Sequence, residues 1–122
     1  MNKNELQDRT RSFAVRVFKL VEQFPASAAS KVVANQLLKS SSSVAANYRA
    51  VNRAKSKADF LNKLKVVAEE ADESNFWLEF LTDVGILKAE RELTELINES
   101  NELVAIFTKA IKTTSTKPAE VL

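Results

Sequence analysis

Residues 33–51 read VANQLLKSSSSVAANYRAV. By composition, the four serines at 40–43 look like a linker that would split the chain. The apolar period says otherwise. Val33, Leu37, Ser41, Val44, Tyr48 and Val51 recur at spacings of four or three, and the phase passes through the serines unbroken. At about 100° per residue these positions share one face of a single long helix. Ser41 then sits on the buried stripe, where a small residue lets a second helix come close. Its hydroxyl can bond back to the preceding turn. The helix is expected from about Ala28 to Ala54, with Ser27 as its N-cap.

The same period organises the sequence on either side. Leu6, Thr10, Phe13, Val17, Leu20 and Phe24 predict a first helix over about Glu5 to Gln23, ended by Pro25. Ser56, followed three residues later by Asp59, makes a start resembling a capping box. It opens a third helix over Lys57 to Val84 with the stripe Phe60, Leu64, Val67, Ala71, Ser74, Leu78 and Leu81. Gly85, the one glycine of the chain, is suited to the left-handed C-cap. A fourth helix is expected over about Lys88 to Lys112, with Leu93, Leu96, Ile97, Ser100, Leu103, Val104, Phe107 and Ile111 on one face. Such short connections make neighbouring helices antiparallel. The expected fold is all-α: an up-down-up-down four-helix bundle forming a single domain over residues 1–112. Residues 113–122, rich in Thr, Ser, Lys and Pro and aperiodic, are expected as a disordered tail.

Composition narrows the function. The chain has no cysteine and no histidine. That removes disulfides, thiolate chemistry, the commonest general base and the commonest metal ligand. A single glycine cannot build a phosphate loop. Neither an enzyme nor a cofactor is expected. No run of 18 apolar residues suggests a membrane helix, and the polar, acid-containing start does not read as a signal peptide. The expected location is the cytoplasm.

Charge is strongly segregated. Residues 48–68 carry Arg49, Arg53, Lys55, Lys57, Lys63 and Lys65 against Asp59 alone, whereas residues 69–87 carry six carboxylates and no cation. Arg49 and Arg53 are four apart on one face, roughly opposite the apolar stripe. With Lys55 and Lys57 at the turn, and the positive end of the third helix nearby, they form a candidate phosphate-binding patch. Lys63 and Lys65 extend it. The competing reading is a solvated or subunit-pairing face, since stacking aromatics are not interleaved with the cations. Glu69, Asp72 and Glu73 have helical spacing that could offer oxygen ligands to a cation, but they lie off the core stripe and read as a solvated face. Tyr48 reads as a core residue.

Phe76 and Phe80 fall on the side of the third helix opposite its stripe, with Trp77, Val66 and Val84 beside them. The first helix has a smaller second face in Val15 and Phe18. Apolar groups that a lone bundle leaves in water mark protein contacts. Self-association through Phe76, Trp77, Phe80, Val15 and Phe18 is therefore expected.

Several strings together resemble a known family. They are Phe13-Ala14-Val15, Phe24-Pro25, Gln36-Leu37-Leu38-Lys39-Ser40, Ser43-Val44-Ala45-Ala46-Asn47-Tyr48-Arg49-Ala50, Arg53-Ala54-Lys55-Ser56-Lys57-Ala58-Asp59-Phe60, Lys63-Leu64, Glu70-Ala71-Asp72-Glu73 and Trp77-Leu78. The pattern is similar to the bacterial four helix bundle protein family, which includes proteins encoded in intervening sequences of 23S rRNA genes. The resemblance covers about residues 5–112. It implies a left-handed up-down bundle and a homopentamer. A distant relative, the accessory protein of diversity-generating retroelements, is a pentameric barrel that binds nucleic acid. Arg49, Arg53, Lys55 and Lys57 match the family's basic motif. The expected function is that of a non-enzymatic homo-oligomer binding RNA or DNA through its basic end. The alternative is a structural or protein-interaction oligomer with no nucleic-acid role.

Overall fold

The computed structural model describes residues 1–88 and 90–116. Among them are four helices and no strand: α1 (Lys3–Val21), α2 (Ala28–Val51), α3 (Lys57–Val84) and α4 (Glu90–Ser115). Helices consecutive in sequence pack against each other, and α1 also meets α4. The arrangement is consistent with a four-helix bundle.

Each of the first three helices starts on a side chain that takes up a free backbone donor. Asn2 Oδ1 accepts the Glu5 N–H at 2.8 Å, Ser27 Oγ that of Ser30 at 3.1 Å, and Ser56 Oγ that of Asp59 at 3.1 Å. The Asn2 cap moves the start of α1 two residues ahead of the expected Glu5. Gly85 closes α3 at φ 69°, where a side chain would be strained.

The core is the set of stripes turned inward. Phe13, Val17 and Leu20 meet Val33, Leu37 and Val44, Leu64, Val67 and Leu78, and Leu96, Leu103 and Phe107. Each is essentially inaccessible to solvent, and burying each is worth roughly 1.5–3 kcal/mol. Tyr48 joins them with its ring centroid 5.7 Å from that of Phe107. Phe60, Ile97, Val104 and Ile111 are only partly buried at the edge of this core.

The serine run is helical throughout, and Ser40 and Ser41 are fully buried. Ser74 Oγ on α3 stands 2.9 Å from both Ser40 Oγ and the Glu70 carbonyl. The back-bond expected of Ser41 is made instead by its neighbour: the Ser42 hydroxyl donates to the Leu38 carbonyl at 2.7 Å. Ser41 Oγ finds no partner.

The helix ends that differ most from expectation are those of α2 and α4. α2 stops at Val51, and the next residues tighten into a turn in which the N–H groups of Arg53 and Ala54 bond the carbonyls of Ala50 and Val51. Arg53 therefore stands just outside the helix. α4 continues to Ser115, three residues into the stretch expected to be disordered, because Thr114 keeps phase with Phe107 and Ile111 and is buried. Thr116 follows in a turn, and residues 117–122 of that tail lie outside the described residues.

Candidate nucleic-acid interface

The basic segment folds into two neighbouring depressions. In the first, Arg49 from α2, Arg53 from the turn and Lys63 from α3 line a groove of about 580 Å³ that also includes Ala46 and Ala50. Both arginines are exposed. In the second, of about 350 Å³, Lys55 stands with Lys3 around Phe60 and Asn52. Lys3 was missed in the sequence because it is distant in the chain. The signal was the topology: if α1 runs antiparallel to α2, its start lies at the end where α2 hands over to α3.

The patch is partly neutralised from within. Asp59 Oδ1 accepts from Lys63 Nζ one helical turn on, and Asp59 Oδ2 accepts the Lys55 N–H at 3.0 Å. The lysine, then that backbone bond, holds the carboxyl below its ordinary value of 3.8, so it stays charged at neutral pH. One donor at the start of α3 is already spent on the cap: the N–H of Asp59 bonds the Ser56 hydroxyl. Lys57 is half-buried in the first turn. Lys65 is exposed, but it sits two residues beyond Lys63, which turns it roughly 160° away around the helix. The structure thus gathers Arg49, Arg53 and Lys63, places Lys55 and Lys3 beside them, and leaves Lys65 on another face.

The expected contact residues form two further features. Phe76 and Phe80 are 53% and 38% exposed. Their rings stack with centroids 5.8 Å apart, and each meets Trp77 edge-on, at 4.9 and 5.6 Å. Trp77 is itself partly buried against the core, so the two exposed rings stand on it as a ridge. Val15 and Phe18 line a groove of about 780 Å³ between α1 and α2, together with Ala14, Ala45 and Ala46.

The acidic segment gathers no ligand set: among the described residues, no group of three or more Asp, Glu, His or Cys is placed to hold a metal. Within it the Glu70 carboxyl is pushed up, chiefly by burial and then by Glu73. Among the described residues no helix is long and apolar enough to cross a membrane.

A solved structure from Bacteroides thetaiotaomicron VPI-5482, described as a protein of unknown function from the S23 ribosomal protein family, resembles this one with a TM-score of 0.79. It is 33% identical in sequence, and the match covers 92% of this chain and 99% of that one. No curated protein matches. The family model for the 23S rRNA-intervening sequence protein matches residues 2–109, from the cap of α1 into the closing turns of α4. Both basic depressions, the ridge and the α1/α2 groove lie inside that span, and the chain belongs to the 23S rRNA-intervening sequence protein family.

Proposed function

We propose that the protein is a non-enzymatic, cytoplasmic homo-oligomer of left-handed, antiparallel up-down-up-down bundles that binds RNA or DNA through its basic end. The observation that carries this reading is the convergence of Arg49, Arg53 and Lys63 on one open groove, with Lys55 and Lys3 beside it. Three cations from α2, the turn and α3 lining one open groove suit the negative charge of a phosphate backbone. The antiparallel arrangement is supported by the order of the α1–α4 ion pairs: Arg9 meets Glu99 and Glu102, while the later Arg16 meets the earlier Glu92. Five copies is the number that the family resemblance implies. Repeating a weak patch round such an assembly would let several contacts act together.

A titration of labelled RNA and DNA at low and moderate salt tests the reading. Binding should fall steeply with salt, since each neutralised phosphate releases counterions. Arg49→Ala with Arg53→Ala should weaken binding to all sequences about equally, because phosphate contacts position rather than specify. The salt slope of the double variant should drop by up to about two. If the wild type binds neither nucleic acid at low salt, or the double variant binds as tightly, the patch is not a nucleic-acid site.

A second reading, an oligomer acting purely in structure or protein contact, is favoured by two observations. Asp59 already occupies Lys63, and the aromatic ridge leaves Phe76 and Phe80 exposed side by side.

A further inference from the structure

We infer that the α1/α2 groove of one copy receives the α3 aromatic ridge of the next, so that identical chains join head to tail. The inference rests on the homo-oligomer reading and names the two surfaces that meet.

The two faces are complementary in shape. The ridge is convex: Phe76 and Phe80 project from α3 and are braced by Trp77. The groove is concave and lined by small side chains, Ala14, Ala45 and Ala46 among them, with Val15 45% and Phe18 43% exposed. Its volume of about 780 Å³ accommodates a pair of phenyl rings.

They are also complementary in charge, and this selects the pairing. Arg11, Lys19 and Arg49 line the groove against one carboxylate, Glu22. The ridge lies in the stretch of chain holding six carboxylates and no cation, three of them Asp72, Glu73 and Glu79. Ridge against ridge would set acid on acid, and groove against groove base on base. Like charges brought together across an interface oppose association. Only ridge into groove pairs opposite signs.

Such a contact uses two different patches, so it propagates. It closes into a ring if the patches stand at one height on the bundle and climbs into a filament if they do not. Taking the helices as antiparallel, the Gln7–Asn52 and Ser40–Ser74 bonds set Val15 and Phe18 level with about residues 70–73 of α3. Reckoned the other way round, through Arg16–Glu92 and Asn75–Ser100, they are level with about residues 82–85. The ridge at Phe76 and Phe80 lies between these bounds, which favours closure.

The test is complementation. Phe76→Glu with Phe80→Glu destroys the ridge and keeps the groove. Val15→Glu with Phe18→Glu does the reverse. Each double variant alone should sediment as a folded monomer, with helical circular dichroism unchanged, since all four side chains are solvent-exposed. Mixed in equal amounts at high micromolar concentration, they should form a one-to-one heterodimer and nothing larger, because each chain then retains one working half. Arg11→Glu with Lys19→Glu, which leaves every apolar residue in place, should weaken wild-type association at least tenfold. A wild-type monomer would overturn the oligomer reading and this inference together. A wild-type oligomer whose groove variant keeps its full mass, or variants that are monomeric and do not pair when mixed, would overturn the head-to-tail contact alone. Unchanged association of the charge variant would do the same.

Discussion

Replacing Ser41 by alanine should make the protein more stable. The residue is fully buried in the middle of α2, and its Oγ has no hydrogen-bond partner. A buried hydroxyl left unpaired costs about 1–3 kcal/mol. Alanine also gains about 0.5 kcal/mol of helix propensity over serine. Against this, deleting one oxygen forfeits a handful of van der Waals contacts at about 0.1–0.2 kcal/mol each. The net gain is about 1–2 kcal/mol. Urea unfolding followed by circular dichroism, with protein concentration held fixed because association adds to stability, reads it directly. With a denaturant slope of about 1–3 kcal/mol/M, the midpoint should rise by roughly 0.5–1 M. Ser74→Ala is the opposing control. Its oxygen bonds across to Ser40 and along to the Glu70 carbonyl, so its loss strands a second buried hydroxyl and should cost about 1–2 kcal/mol. If Ser41→Ala lowers the midpoint as Ser74→Ala does, the Ser41 hydroxyl has a partner, and the packing assigned to the centre of α2 is wrong.

Two further outcomes are expected. Arg9→Ala should cost about 1–3 kcal/mol in thermal unfolding, because Arg9 grips Glu99 with two 2.7 Å bonds at a part-buried seam and reaches Glu102 as well. Arg16→Ala, which breaks a single, longer and more accessible 3.2 Å pair with Glu92, should cost less than about 1 kcal/mol. Equal losses would refute the difference drawn between the pairs. Glu70 titrates above its ordinary 4.5 in the folded state, so folding favours its protonated form. That contribution is full below 4.5 and is lost as pH rises through the folded value. Glu70→Gln should therefore flatten the stability–pH profile just above pH 4.5 and be no less stable than wild type at pH 7. A variant that unfolds more readily at neutral pH would contradict it.

Periodicity carried most of the fold because a long in-phase stripe outweighs local composition, as Ser40–Ser43 shows. It failed at ends, where capping decides. Asn2 starts α1 earlier than its first apolar residue, and Thr114 extends α4 through a stretch that looks like a tail by composition. The ridge was legible because Phe76, Trp77 and Phe80 belong to one helix and one phase. The α1/α2 groove was legible only in its Val15 and Phe18 wall, since its other wall comes from a helix some 30 residues away. The same limit hid Lys3. The Asp59–Lys63 pair, by contrast, was within reach of an i, i+4 reading and reduces the free charge that the segment's cation excess suggests.

The seam closed by Arg9 and Arg16 has a consequence for how the chain reaches its shape. The other principal packings join helices adjacent in sequence, across connections of a few residues. α1 against α4 is the long-distance exception, and ion pairs 76 to 93 residues apart line its edge. Contacts this local make for rapid folding, since little loop entropy is spent before each is rewarded. Closing the α1–α4 seam spends the most loop entropy of these packings. If its ion pairs form only after the rate-limiting barrier, weakening them speeds opening and leaves folding unchanged. Loss of Arg9 would then shorten the time an individual chain stays shut.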